Sequence, residues 1–370
     1  MTVPFVDLKA QYQSIKPEID RAIQNVINET AFIKGKYVQR FEEEYAAAYG
    51  VKHCISCANG TDAIYISLKA LGIGPDDEVI TVANSWISTS ETITQAGARP
   101  VFVDIHPDYY TMDVSLIERK ITSATKAIIP VHLFGQPAEM DKILEIAKKY
   151  QLYVIEDCAQ AHFAEYNGRR VGTFGIAGSF SFFPGKNLGA YGDAGAIITN
   201  DDTFAIKARM FANHGALKKH HHEIEGINSR MDGIQAAILS VKLPHILEWN
   251  RLRHVHALEY NNAIESINGV EAPKIHPQAK HVFHLYVIRA DRRDELQKYL
   301  EKHGISAAIH YPTPLPFLKA YEYLGHKPEG FPVAFDYQHK ILSLPMYPEL
   351  TGMMIQKVAG RIADFIAGKN

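Results

Sequence analysis

Cysteine is scarce in this chain: three residues, Cys54, Cys57 and Cys158, in 370. That number cannot build a disulfide scaffold and suits a reducing compartment. Cys54 and Cys57 have the Cys-x-x-Cys spacing of a redox pair or half a zinc site. If His53–Cys57 is a strand, however, its period of two sends them to opposite faces, where they cannot share a metal, and no second pair exists. All three thiols are expected to be small packed residues. The run His220-His221-His222, with His214 nearby, has no carboxylate or cysteine at ligand spacing and reads as a polar loop, so no metal is expected. Charge of one sign is also missing: the net charge is −2, which argues against a polyanion-binding surface and hence against a nucleic-acid partner. No apolar run approaches the ~20 residues of a membrane span, and residues 1–7 lack the apolar core of a signal peptide, so the expectation is a cytoplasmic protein with no membrane partner. A Gly-x-Gly-x-x-Gly run after the first strand is lacking as well, which speaks against a nicotinamide oxidoreductase. There are no repeats, low-complexity tracts or long linkers.

What is present is an alternation of short apolar runs with helical stretches. Val79–Val82, Pro100–Val103, Ala127–Val131 and Tyr153–Ile155 read as strands; Thr61–Leu71, Met140–Lys149 and Phe204–Ala212 read as helices. This pattern predicts an α/β fold with a mostly parallel sheet between helices, with Ala196–Thr199 completing the sheet edge. From Met231 the chain turns helical through Trp249 to Ile264, and His281–Ile288 followed by a helix after Asp291 predicts a smaller βαβ-like C-terminal domain. At 370 residues the chain exceeds the ~250–300 at which single cores divide, and the expected domains are 1–250 and 251–370.

Chemistry concentrates around Lys186. It lies in Ser181-Phe182-Phe183-Pro184-Gly185-Lys186-Asn187-Leu188-Gly189-Ala190, before Gly192, Asp193, Ala194 and Gly195. A lysine among small residues, with a hydroxyl five positions upstream, offers a carbonyl cofactor an amine and space for a ring and a phosphate. About thirty residues earlier, Leu152–Glu156 is a β-rich run ending at Asp157, the strand end where ligands of open α/β sheets bind. There a carboxylate can hold a pyridine nitrogen protonated. Taken singly, a strand-end aspartate caps a turn and a lysine is a surface charge; the two together favour the chemical reading. Asn59-Gly60-Thr61 precedes a helix, so its N–H groups and the Thr61 hydroxyl suit a phosphate, although this is also an ordinary helix start. Trp86 offers a flat face to a ring or a side chain to the core. Asn228 either serves a ligand or caps a helix beginning near Arg230, and Arg230 is either an anion fork or an exposed charge.

Five segments then occur in a familiar order: Ala58–Ala63; Trp86 followed by Gly97–Asp104; Glu156-Asp157-Cys158-Ala159-Gln160-Ala161-His162; the Lys186 run; and Gly226–Asp232. Together with Phe5–Leu8 and Ser343–Met346 they make nearly the whole chain resemble the DegT-type sugar-nucleotide aminotransferases, pyridoxal-phosphate enzymes of the aspartate aminotransferase fold. The resemblance implies pyridoxal 5'-phosphate held by Lys186, with Asp157 at the ring nitrogen, Trp86 over the ring, Gln160 near the ring hydroxyl, and Gly60, Thr61 and Ser181 at the phosphate. It implies a homodimer in which Asn228 reaches the neighbouring subunit's cofactor phosphate, a seven-stranded sheet in the large domain, and substrate contacts from Arg230, His310 and Tyr311. Glutamate is the implied donor and a nucleotide-linked keto-sugar the acceptor, for cell-surface polysaccharide or deoxyaminosugar synthesis. The wording of the lysine segment resembles relatives that aminate C3 of thymidine-linked deoxyhexoses or uridine-linked uronic acids; C4 amination of a 4-keto-6-deoxy sugar is the alternative. Asn84–Ser90 departs from the usual wording of its site. Relatives that dehydrate the sugar carry histidine in place of Lys186, and a cofactor-binding regulator without turnover would be expected to have lost the Lys186–Asp157 pair.

Overall fold

The computed structural model describes residues 2–368. Seven strands, β1 His53–Cys57, β2 Glu78–Val82, β3 Arg99–Val103, β4 Thr125–Ile129, β5 Tyr153–Asp157, β6 Ala177–Ser181 and β7 Gly195–Thr199, form one sheet in the order β1-β7-β6-β5-β4-β2-β3. All are parallel except β7, which runs antiparallel to both β1 and β6. The expectation that Ala196–Thr199 closes the edge is therefore corrected. β7 is an inner strand and β1 lies outside it, because the loop carrying Lys186 returns the chain as a hairpin beside β6 instead of crossing over.

Both faces of the sheet are buried, which is why its strands read as continuous apolar runs instead of alternating ones. In β7, Ala196 and Ile198 pack with the helices Lys36–Tyr49 and Gly233–Lys242, while Ile197 packs on the opposite face with the helices Gly60–Ala70 and Asp202–Phe211. The two cysteines of β1 obey the same period. Cys54 sits in the first of these cores and Cys57 in the second, and all three thiols are free and buried.

Beyond the main sheet, β8 Val270–Glu271, β9 Tyr286–Ala290 and β10 Ile341–Leu344 form a small sheet in the order β8-β9-β10. Its pairings are antiparallel, not the parallel ones of a βαβ unit. The strand expected from His281 begins only at Tyr286, because residues 282–285 spend their N–H groups elsewhere: Val282 and Leu285 donate to Gly135 and Phe134. The helix Ile246–Ile264 carries Trp249 in the core of the main sheet and Tyr260 and Ile264 in that of the small one. A division at residue 250 thus falls inside a helix shared by both cores. Val3 packs in the core of the small sheet and bridges to Ile305. Among the described residues, no helix is long and apolar enough to cross a membrane.

Candidate active site

At the C-terminal ends of β1, β5 and β6 the sheet opens into a cavity of about 540 Å³, lined by Gly60, Thr61, Trp86, Asp157, Gln160, Ser181, Lys186, His310 and Tyr311 among others. Nine residues chosen from sequence, drawn from five separate stretches of the chain, thus share one enclosure. The volume is that of an ordinary small-molecule site.

One end of the cavity is built to meet an anion. The helix Gly60–Ala70 begins here with Asn59 as its N-cap, whose Oδ1 accepts from the Asp62 N–H at 2.8 Å. The preceding N–H groups of the first turn lack helical partners and carry the positive end of the helix dipole. Beside them stand Ser181 and Thr61, the latter with its Oγ1 2.7 Å from Ser88 Oγ. A Cβ on Gly60 would stand 2.5 Å from Ser181 Cβ, so only glycine lets the turn lie against the end of β6.

At the opposite end Asp157 is buried at 5 % exposure. Its Oδ2 accepts from Thr89 Oγ1 at 2.8 Å and its Oδ1 from the Ala159 N–H at 3.1 Å, while Thr89 lies 2.8 Å from Ser85 Oγ. Since Thr89 donates its single proton to Asp157, Ser85 must donate to Thr89, giving a hydroxyl chain that aims the carboxylate. Burial raises the Asp157 carboxyl above its ordinary range, against the lowering effect of these hydrogen bonds and of Lys186 and His132. A cation placed beside it would restore the ionised form. Between the two ends, burial lowers the Lys186 amine to about 8, with Asp157 as the opposing influence. A lysine so poised reaches its nucleophilic form far more readily near neutral pH than an exposed one.

The walls are equally specific. Gln160 accepts the Phe134 N–H on Oε1 at 2.6 Å and donates from Nε2 to the Tyr311 hydroxyl at 3.0 Å, which fixes both side chains. Trp86 is 59 % exposed at the rim, its ring centroid 5.7 Å from that of Tyr311, so it belongs to the cavity and not to the core. His310 bonds through Nδ1 to Ser343 Oγ at 2.8 Å, and burial, with a smaller effect from Lys186, lowers it to about 4, leaving a neutral imidazole. Pyridoxal phosphate, the group implied by the resemblance, matches this donor set: an anion cradle at a helix start, an amine midway, and a buried carboxylate awaiting a cation at the far end.

Asn228 and Arg230 lie elsewhere. Arg230 lines a second depression of about 510 Å³ with Lys34, Glu42, His53 and Arg209, and Asn228 is exposed on the surface. Asn228 does not cap the following helix, which starts at Gly233 after Asp232. The buried neighbour Ser229 ties this segment to the turn at the start of the helix Gly60–Ala70: its Oγ accepts from the Ala58 N–H at 3.1 Å and donates to Asp62 Oδ2 at 2.6 Å. His220, His221 and His222 are exposed, with His222 Nδ1 2.8 Å from the His214 carbonyl.

Sequence reasoning missed Ser85, Ser88 and Thr89, since hydroxyls are common and nothing in their spacing points to a carboxylate 68 residues away. His162 stands in the Glu156–His162 segment with nothing in the sequence to mark what it does. Its Nε2 donates to the Ser181 carbonyl at 2.9 Å and its Nδ1 accepts from Tyr45 at 3.0 Å, pinning the end of β6. The buried set His132, Glu156 and Cys158 is close enough to hold a metal, yet the ring nitrogens of His132 and the carboxylate of Glu156 are engaged. His132 accepts the Ala138 N–H and donates to Glu156, whose oxygens also accept from Gly172, Phe174 and Gly175. It fastens β5 to the following loop.

Comparison with known proteins adds three findings. The model of the DegT/DnrJ/EryC1/StrS aminotransferase family matches residues 13–363. A curated pleiotropic regulatory protein of Geobacillus stearothermophilus is 49% identical over 99% of both chains, and the dTDP-3-amino-3,4,6-trideoxy-alpha-D-glucose transaminase of Streptomyces venezuelae is 41% identical over 98% of this chain and 96% of its own. Among solved structures, S. venezuelae DesV superposes with a TM-score of 0.96 at 39% identity, covering 99% of this chain and 98% of its own.

Proposed function

The chain belongs to the DegT/DnrJ/EryC1/StrS aminotransferase family, whose members depend on pyridoxal phosphate, and on that premise we propose that it moves an amino group from glutamate to the C3 keto group of a nucleotide-diphosphate-linked sugar. The observation that carries this reading is the convergence of Lys186, Asp157 and the Gly60–Thr61–Ser181 cradle on one cavity. When bound there, pyridoxal phosphate supplies a carbonyl to carry the nitrogen and a ring to accept the electrons of a carbanion.

The protein's own groups do the rest. The helix start, Thr61 and Ser181 would hold the phosphate, and Asp157, aimed by Thr89, would keep the pyridine nitrogen protonated. Trp86, Gln160 and Tyr311 enclose the ring and exclude water. Lys186, once its amine is free, carries the proton to and from the reacting carbon, a task its lowered pKa suits. The sugar side falls to His310 and Tyr311. Amination at C3 is supported by the wording of the lysine segment and by the C3-amino sugar in the name of the Streptomyces transaminase; C4 amination is the alternative.

The expected result is that the protein, incubated with glutamate and a panel of 3-keto and 4-keto sugars linked to thymidine or uridine diphosphate, forms an amine that NMR locates at C3. Amination at C4 alone overturns the position. No amination of any member by the cofactor-loaded protein overturns the function and favours a regulator, the role named for the Geobacillus relative.

The same proposal includes a cytoplasmic homodimer with shared sites. It is supported by the exposed Asn228, held beside the phosphate-facing turn by Ser229. Mixing Lys186→Ala and Asn228→Ala subunits should restore part of the activity, because one site of each mixed dimer takes both residues from unmutated halves. Defined heterodimers that stay inactive, with both variants folded, contradict it.

A further inference from the structure

Directly after Lys186 comes Asn187, 2 % exposed, whose amide does not face the cavity. Its Nδ2 donates to the Val282 carbonyl at 3.0 Å and to Asn250 Oδ1 at 2.8 Å, and its Oδ1 lies 3.0 Å from His284 Nδ1. A carbonyl can only accept, so the Val282 contact fixes which way the amide points, and His284 must then carry its proton on Nδ1. Asn250, itself 8 % exposed, passes the connection on. Its Nδ2 donates to the His162 carbonyl at 2.8 Å, and the His162 ring donates to the Ser181 carbonyl at 2.9 Å. A single line of buried hydrogen bonds therefore joins the residue beside the lysine to the backbone of the serine in the phosphate cradle.

Nothing about the stability of the loop demands so much. Residues 182–194 already close on themselves through Phe182 N–H to Ala194, Ala190 N–H to Phe182 and Lys186 N–H to Phe183. The Asn187 network does something those bonds cannot: it ties the loop to the shared helix Ile246–Ile264 and to the strand approach at 282–284, so that the lysine's position is set by the junction between the two cores. Buried polar groups of this kind specify one arrangement because any other leaves a donor or acceptor unpaired.

We propose that Asn187 is a positioning residue for the transamination. Through Asn250, Val282 and His284 it holds the Lys186 amine at a fixed distance from the phosphate cradle, so that the lysine meets the reacting carbon without rearrangement. The proposal rests on Lys186 as the reacting lysine. Asn187 does not line the cavity, so its loss should affect the proton-transfer step and spare binding.

The test uses Asn187→Ala, Asn250→Ala and the double variant as full-length, cofactor-loaded protein. Each single variant should lower kcat by about 10- to 100-fold, the scale set by small misplacements of a catalytic group, with KM for glutamate and for the sugar nucleotide within about twofold. The double variant should be no slower than the worse single one, since either change breaks the same line. A second readout uses cofactor-free protein: the pH dependence of Lys186 acylation, followed by peptide mapping. Its midpoint should stand near 8 in the wild type and rise in both variants as water reaches the amine. Asp157, His162, His284 and His310 are the titratable groups that act on or respond to this amine, and none is altered. Should Asn187→Ala not fold, Asn250→Ala interrogates the same line from the helix. Unchanged kcat, additive losses, a loss confined to KM, or an unmoved acylation midpoint in folded variants overturns the proposal. If borohydride reduction of the wild type leaves its adduct on a lysine other than Lys186, the reading of Lys186 fails first, and the two failures are told apart.

Discussion

Replacing Lys186 with alanine is expected to lower turnover at least ~10³-fold while sugar-nucleotide affinity stays near that of the wild type and the cofactor is still bound through its phosphate and ring contacts. The asymmetry follows from the division of labour in the cavity. In the proposed arrangement the phosphate would be met by the start of the helix Gly60–Ala70, by Thr61 and by Ser181, and the ring by Gln160, Tyr311 and Asp157, all of which line the cavity. None of these depends on the lysine side chain for its position. Lys186 contributes an amine that burial has brought to about 8, and no other lysine lines the cavity among the described residues. Single-turnover spectra with glutamate should show the change slowed by that factor, and a small primary amine added to the buffer should restore part of it. A variant that instead loses affinity for the cofactor, with its residual turnover near wild type, would make Lys186 an anchor and nothing more.

Asp157→Asn should be nearly as damaging, with turnover down by about 10²–10³-fold, and for a different reason. The amide keeps the shape and can still meet Thr89 and the Ala159 N–H, but it cannot hold a proton on a pyridine nitrogen by charge, so the ring accepts electrons poorly. The same substitution carries an opposite effect on the cofactor-free protein. In the fold, burial raises the Asp157 carboxyl above its unfolded value. The stability that such a group contributes is fully present below its unfolded pKa and is lost as pH rises through the folded one, so at neutral pH the ionised side chain costs stability. Asparagine escapes this cost. Cofactor-free Asp157→Asn should therefore melt above cofactor-free wild type at pH 7, and the gap should shrink toward pH 4. Calorimetry of both proteins across that range checks it; a lower melting temperature at pH 7 contradicts it. Activity and stability would then be opposed at one atom pair, as expected where a site is held ready for a charge it does not itself contain.

How much of this was legible beforehand depended on the range of the signal. The main sheet was readable because parallel strands buried on both faces leave continuous apolar runs, and the helices between them keep their period. The place of β7 was not, since Gly195–Thr199 looks the same whether it ends a sheet or lies within it; only the hairpin made by the lysine loop decides. The small sheet's antiparallel pairing was hidden for a similar reason: β9 and β10 are separated by fifty residues of helices and turns. At the site, Lys186, Asp157 and Gly60 announced themselves through unusual neighbours, whereas Thr89 and Ser85 did not. Their role comes from a fold that sets the start of the helix Ser88–Gln95 against the end of β5, and a hydroxyl carries no mark of what it will face. Asn187 stood in the quoted motif without a role because its partners, Asn250, Val282 and His284, lie 63 to 97 residues further on.

Lys186 is the proposed point of attachment of the cofactor and the group that moves the proton. Borohydride reduction of the cofactor-loaded protein, followed by proteolysis and peptide mass mapping, tests this most directly. A pyridoxyl adduct on the peptide containing Lys186 is the result predicted. An adduct on any other lysine, with Lys186 unmodified, would contradict it.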